Sequence, residues 1–243
     1  MGINRVRSFN QLLECLIEEF LMSSENPKDI LLAQFASVAK ALGHPNRLEL
    51  LDFVAQGESS VDALAKRAGL TVANTSQHLH QLRRAGLVTS CQDGKRVLYR
   101  LRDDSVLALT AALQRVAERN IAEVQQIVDG YFRERDTMDP VSRAELLKRR
   151  RKGLVTVLDV RPEDEYNAGH LPGALNITLA ELESRLGEIP SEAEIVAYCR
   201  GAFCVLSFEA VAELRKKGFN ARRLEEGYPE WKAAGLPVNS SAS

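Results

Sequence analysis

Apolar residues recur at three- and four-residue intervals through the first half of the chain, then give way to short apolar runs in the second half. Leu12, Leu13, Leu16, Ile17 and Phe20 predict one helix, and Leu32, Phe35, Val38 and Leu42 a second. Gly43-His44-Pro45 breaks that spacing, and Pro45 is placed to open a helix over Asn46 to Val54. After a turn at Gly57-Glu58-Ser59-Ser60, Ser60 is the expected N-cap of a short helix, Val61–Ala68. Gly69-Leu70-Thr71 turns the chain again, and Thr71 should cap a helix ending near Ala85, with Val72, Leu79 and Leu82 facing the core. Beyond Gly86 two β-like runs, Leu87–Cys91 and Arg96–Leu101, flank Gln92-Asp93-Gly94-Lys95. The Asp-Gly pair predicts a two-residue hairpin turn in which both residues take positive φ. A long helix from about Ser105 to Tyr131 follows. Its stripe of Val106, Leu109, Leu113, Val116, Ile121, Val124, Ile127, Val128 and Tyr131 is longer than a small domain can cover, so a helix–helix homodimer is expected through it.

The polar segment Asp136–Pro140 marks a boundary, after which the pattern alternates. Strand-like Val155–Val160, helix-like Leu179–Leu186, strand-like Glu194–Cys199, helix-like Ala202–Lys217 and a short strand near Ala221–Leu224 predict a parallel sheet covered by helices. Lys148–Lys152 reads as the solvated last turn of a short helix, with a second DNA contact as the alternative.

Composition narrows the class. The chain has 243 residues, 45% hydrophobic and 27% charged, as ordinary globular proteins do. No stretch of about 18 uncharged apolar residues offers a membrane span, and the N-terminal residues lack the pattern of a secretory signal. Four cysteines (Cys15, Cys91, Cys199, Cys204) are too few for a disulfide scaffold, so reduced thiols and a cytoplasmic setting are expected. The net charge of -1 conceals a local excess. Between residues 61 and 102, Lys66, Arg67, Arg83, Arg84, Lys95, Arg96, Arg100 and Arg102 face only Asp62 and Asp93, which suits a polyanion partner.

Helix, Gly-containing turn, helix and β-hairpin make a winged helix-turn-helix, a mostly helical α+β unit. The outer face of its second helix carries Asn74, Gln77, His78, Gln81 and Arg84, whose amides suit adenine edges and whose cation suits phosphate. Lys95 and Arg96 sit at the wing tip. The block FASVAKALGHPNRLELLDFVAQG, followed by SVDALAKRAGL, TVANTSQHLHQLRRAGLV and DGKRVLYRL, resembles the ArsR-type regulators over about residues 30–130. The resemblance implies a homodimer on double-stranded operator DNA that leaves when an inducer binds, with Thr75, Ser76, Gln77 and His80 at the duplex and Gln77 nearest the bases. Metal-sensing members carry cysteines where this chain has Val61-Asp62-Ala63-Leu64-Ala65-Lys66, and the long helix has no histidine, so no metal site is expected. Members that sense reactive sulfur use cysteines on helices that here have none. The DNA-binding half therefore shows no inducer site of its own.

The second half offers one. Strand residues Glu194–Tyr198 run into Cys199-Arg200-Gly201-Ala202-Phe203-Cys204, directly before a helix. A thiol there is favoured as thiolate by main-chain amides and the helix dipole, and the same amides can cradle a persulfide. Leu158-Asp159-Val160-Arg161, Glu165-Tyr166, Gly169-His170-Leu171-Pro172-Gly173-Ala174, Tyr198-Cys199-Arg200-Gly201 and Glu226-Gly227-Tyr228-Pro229-Glu230-Trp231 resemble a single rhodanese domain over residues 142–238. The resemblance implies an α/β fold with Cys199 as sulfur-carrying nucleophile, Asp159 and Arg161 orienting the loop, and a structural His170. A Cys-x5-Arg oxyanion loop is excluded because Val205 occupies the arginine position. Arg200 is a candidate to attract an anionic donor such as thiosulfate or glutathione persulfide. Cys204 is either an inward helix residue or a resolving thiol.

The division expected is 1–29, an extra N-terminal helix; 30–135, the winged helix with the dimer helix; and 142–238, the rhodanese-like domain. The leading expectation is a cytoplasmic repressor that senses or relays sulfane sulfur through a Cys199 persulfide, with a small sulfur donor or thiol as partner and no bound cofactor. A sulfurtransferase with turnover, or a module used only for partner binding, are the alternatives.

Overall fold

The computed structural model describes residues 26–133, 140–190 and 192–240. Cys15 and the helix expected over residues 12–20 lie outside them. The chain divides after Ala41, and everything from Leu42 onward belongs to one unit. Helix α1, Pro27–Leu42, exposes Leu31, Leu32 and Phe35.

Each capping expectation in the helix-turn-helix is met by geometry. Helix α2 is Pro45–Ala55, with Pro45 in its first turn and His44 Nδ1 accepting from the Asn46 N–H. Ser60 Oγ accepts from Ala63 N–H at the start of α3, Val61–Ala68, which ends on Gly69 at φ 63°. Thr71 Oγ1 accepts from Asn74 N–H to open α4, Val72–Arg84. Such caps satisfy amides that no helix turn can. Strand β1, Ser59–Ser60, pairs antiparallel with the wing, which is β2, Val88–Asp93, and β3, Arg96–Leu101. The hairpin differs from expectation by one residue. Asp93 pairs with Arg96, so the two-residue loop is Gly94-Lys95, and only Gly94 has positive φ, at 56°. Glycine at the first central position is the II′ arrangement, which spares the β-preferring chain a second left-handed residue.

The long helix is interrupted. Helix α5 runs Ser105–Asn120, Ile121 is extended (φ -113°, ψ 111°), α6 is Ala122–Ile127, and a π-helical turn covers Val128–Arg133. No proline or glycine causes the break. The Asn120 side chain instead donates to the Val116 carbonyl at 2.8 Å, and Gln125 Nε2 donates to the Arg119 carbonyl at 3.3 Å. Side-chain amides thus take carbonyls the backbone ladder would otherwise use. Val106 and Val128 are buried within the chain, whereas Leu109, Leu113, Val116, Ile121 and Ile127 are exposed.

After α7, Arg143–Arg151, capped at its start by Ser142 and basic in its last turn, comes an all-parallel sheet in the order β5-β4-β6-β7. Its strands are β4, Val155–Asp159; β5, Leu175–Asn176; β6, Glu194–Tyr198; and β7, Ala221–Arg223. Helices α8, Glu163–Ala168, α9, Val205–Lys216, and α10, Tyr228–Ala233, complete it. The segment expected as a helix over Leu179–Leu186 is a series of turns with a 3-10 turn at Leu186–Glu188. Thr178 and Ser184 explain this, because their hydroxyls bond to Glu181 side-chain and main-chain oxygens and favour local turns.

Parity along β6 sets the site. Ile195, Ala197 and Cys199 lie on the face covered by Ala210, Val211 and Leu214 of α9, while Val196 and Tyr198 lie on the opposite face with Leu146, Leu171 and Trp231. The strand therefore aims Cys199 at α9, and its C-terminal end opens where parallel sheets bind ligands.

Candidate functional site

On the winged helix, Asn74, Gln77, His80, Gln81 and Arg84 are exposed along α4, Ser76 is half-buried, and Lys95 and Arg96 are exposed on the wing. Two residues expected at the duplex point the other way. Thr75 is 0% exposed and His78 is buried, its ring centroid 4.6 Å from that of His44. Burial, followed by the neighbouring His44 and Arg47, holds the His78 pKa below its usual value. Residues 75, 78, 79 and 82 share the i, i+3, i+4, i+7 spacing of one face, so Thr75 and His78 complete the inner stripe of Leu79 and Leu82. Val72, expected inside, is exposed in the first turn. Gln81 Oε1 accepts a hydrogen bond from Arg47 Nη1, which ties α4 to α2.

The thiol loop leaves β6 at Cys199 and enters α9 at its N-cap, Cys204. The expected reduced pair is replaced by a disulfide, with the two Cα atoms 6.2 Å apart. The helix begins at Val205 rather than at Ala202, so residues 200–203 curl freely enough to bring the sulfurs together. Of the two readings open for Cys204 in the sequence, the inward helix residue does not hold, since Cys204 is the N-cap of α9 and is bonded to Cys199. Cys199 is 1% exposed and packs in the α9 face, whereas Cys204 is half-buried. While the two are bonded, Cys204 is thus the sulfur nearer solvent. The Cys199 carbonyl accepts from Tyr228 N–H at 3.1 Å, and Gly227 lies so close that an added Cβ would overlap the Arg200 carbonyl group and the Gly201 nitrogen.

Beneath the loop lies a buried ion pair. Arg161 donates through Nε to Asp159 Oδ1 and Oδ2 at 3.0 and 3.2 Å and through Nη2 to Oδ2 at 2.6 Å, both side chains being fully buried. Tyr198 Oη donates to the same carboxylate, and burial next to Asp159 pushes its phenol pKa well up. Arg161 also donates to the Gly169 carbonyl at 2.7 Å and stacks 4.3 Å over the Tyr228 ring. The pair was expected to orient the loop. It reaches the loop through Gln56, a residue the sequence reading did not single out. Gln56 caps α2, accepts from Arg161 Nη1 at 3.2 Å and donates to the Arg200 carbonyl at 3.5 Å. A polar side chain ending a helix gave no sign of that reach.

Arg200 is not open to an anionic donor. Its guanidinium donates to Glu165 three times, at 2.7–3.1 Å, and lies 4.9 Å over the Phe53 ring of α2. Glu165 also faces Arg67 of α3 at 3.7 Å, and Arg67 bonds Asp164. His170 is buried, stacked 3.7 Å from Tyr166 with Nδ1 2.9 Å from the Tyr166 carbonyl oxygen, which suits the structural part expected of it.

A cavity of about 280 Å³ separates the loop from the winged helix; Arg200, Gly201, Phe203 and Cys204 line one side, Asp52 of α2 and Leu107 of α5 the other. Asp52 is open to water at the cavity mouth yet surrounded by protein elsewhere. Loss of bulk solvent raises its carboxyl pKa to about 6, with Glu165 and Glu49 adding to the rise and Arg200 opposing it. The folded chain therefore holds a proton that the unfolded chain releases near pH 3.8, so ionised Asp52 weakens folding as pH rises through that window. Asp52→Asn is expected to raise Tm above about pH 6 and to match the parent near pH 4, as thermal unfolding across that range will show.

A winged helix-turn-helix and a parallel-sheet domain with a paired thiol loop thus occur in one chain. Residues 42–91 match the helix-turn-helix domain family and residues 142–234 the rhodanese-like domain family. The HTH-type transcriptional regulator Rv0324 of Mycobacterium tuberculosis is 44% identical over 215 residues, 88% of this chain and 94% of that protein. The HTH-type transcriptional regulator YgaV of Escherichia coli is 37% identical over 84 residues, 34% of this chain and 85% of its own. A sulfurtransferase of Allochromatium vinosum is 32% identical over 85 residues, 35% of this chain and 78% of its own. The chain belongs to the ArsR-type winged helix-turn-helix transcriptional regulators with a C-terminal rhodanese domain. Among the described residues no helix is long and apolar enough to cross a membrane.

Proposed function

We propose that this DNA-binding regulator is a repressor whose Cys199–Cys204 pair reads sulfane sulfur and releases the operator. The observation that carries the reading is the pairing of these two sulfurs in a loop that faces the DNA-binding half across a shared cavity. In the reduced chain the Cys199 thiolate attacks the outer sulfur of a persulfide, RS–SH, taking that sulfur as Cys199–S–SH and releasing RS⁻. The Cys204 thiolate then attacks Cys199 Sγ, forming the disulfide and releasing HS⁻. The carried sulfur is reduced to sulfide and the two thiols are oxidised, so no further oxidant is required. Small thiols restore the dithiol. The segments 30–135 and 142–238 serve as the DNA-binding and sulfur-reading parts, and residues 105–131 as the dimer arm, since Leu109, Leu113, Val116, Ile121 and Ile127 stand exposed there.

Asn74, Ser76, Gln77, His80, Arg84, Lys95 and Arg96 form the duplex-facing set, with Gln77 reading bases; Thr75 and His78 support it from inside. Gln77→Ala should weaken binding to a duplex selected from a random pool by about 1–3 kcal/mol while changing non-specific binding little; equal losses on both DNAs would assign Gln77 to phosphate. The reading as a whole is tested by titrating the operator complex of the reduced chain with glutathione persulfide, following DNA by anisotropy and the thiols by mass. Operator release should track disulfide formation. An operator that stays bound after full conversion of the pair contradicts it. Turnover of donor by the free thiol pair would instead favour a sulfurtransferase, the reading that the Allochromatium relative supports.

A further inference from the structure

We propose that Phe132 is the positioning residue through which the state of the thiol pair reaches the dimer arm; this rests on the reading above and names the element that transmits it. Phe132 belongs to the π-helical turn that ends the α5–α6 arm, an uncommon backbone form that clusters at functional positions. Its ring meets two others edge-on: Phe203 of the thiol loop, centroids 5.8 Å apart at 67°, and Phe208 of α9, 4.7 Å apart at 62°. These two neighbours differ in what they can do. Phe208 is buried within α9 and lies 3.9 Å under the Arg223 guanidinium, so it is a fixed surface. Phe203 adjoins Cys204 and rides on the four residues whose curvature the disulfide sets. The loop is tethered on its other side, where Arg223 Nη1 donates to the Ala202 carbonyl at 3.2 Å. Opening the disulfide therefore has little room to move the loop except at Phe203, and the first side chain displaced is Phe132. Tyr131, next to it, donates to Glu209 Oε1 of α9 at 3.1 Å and keeps the turn seated while Phe132 shifts.

The arm carries the exposed apolar row from Leu109 to Ile127, so a change of its tilt changes the distance between two recognition helices in a dimer. That distance must match half-sites one DNA turn apart. The link is reciprocal: if the disulfide weakens operator binding by some factor, operator must disfavour the disulfide by the same factor.

The test uses the full chain with operator DNA, in the dithiol and disulfide forms. The parent should show an operator Kd about tenfold or more weaker in the disulfide form, within the usual range of coupled sites. In a glutathione buffer, where the dithiol and GSSG exchange for the disulfide and two GSH, operator should shift the pair towards dithiol by that same factor. Phe132→Leu should form the disulfide at the parent's rate and bind operator normally when reduced, yet lose both the affinity difference and the shift; Phe132→Tyr should keep both. A Phe132→Leu chain that retains the full factor overturns the inference while leaving the sulfur-reading function standing, and so does one weakened equally in both forms. A parent whose two forms bind operator equally overturns the function and the inference together.

Discussion

Cys199→Ser should leave operator affinity of the reduced chain within about twofold of the parent and remove the response to persulfide altogether. The serine hydroxyl is close in size to the thiol and sits at the same strand end, so the packing of β6 against α9 is retained. It cannot accept a sulfane sulfur, because no thiolate is present to attack. Cys204→Ser separates the two steps. Cys199 should still load and then hold its extra sulfur, since no second thiol displaces it as sulfide, and intact-mass measurement should show one added sulfur atom that persists until a thiol is supplied. A Cys199→Ser chain that still releases operator at the parent's persulfide dose would place the sensing elsewhere, with the exposed Cys91 of the wing as the first alternative.

Asp159→Ala should cost the largest share of stability, about 3–5 kcal/mol by chemical denaturation. The Asp159 carboxylate accepts from Arg161 Nε, Nη2 and main-chain N–H and from Tyr198 Oη, in a place no water reaches. Truncation leaves a buried guanidinium with the Gly169 carbonyl and Gln56 as its acceptors among the described residues, and a tyrosine hydroxyl without the acceptor it had. An unpaired buried charge is far costlier than the net value of the pair it came from. Asp159→Asn, which keeps the shape and one acceptor, should lose less. A loss below about 1 kcal/mol for the alanine variant would show that water enters and solvates Arg161.

The parts of this fold that local chemistry controls were legible in the sequence. Ser60, Thr71 and Pro45 each act within one helical turn, and their caps lie where residue type places them. The strand-like run before Cys199 and the stretch from Cys199 to Cys204 marked the loop. Residues whose setting depends on distant partners were not legible. Gln56 is an ordinary helix-end amide until Arg161, 105 positions away, donates to it. Arg200 is an available cation until Glu165 and Phe53 take its two faces. Thr75 and His78 have the spacing of an inner face, but the resemblance set Thr75, and polarity His78, on the outer one. The break at Ile121 depends on two side-chain amides that periodicity does not weigh, and β5, α8 and α10 are too short to show a period.

The most direct test is the operator Kd of the full-length chain prepared wholly as the Cys199–Cys204 dithiol and wholly as the disulfide, at one salt concentration. Coupling between the thiol loop and the winged helix predicts binding about tenfold or more tighter for the dithiol, a difference of about 1.4 kcal/mol or greater. Equal affinities for the two forms would contradict it.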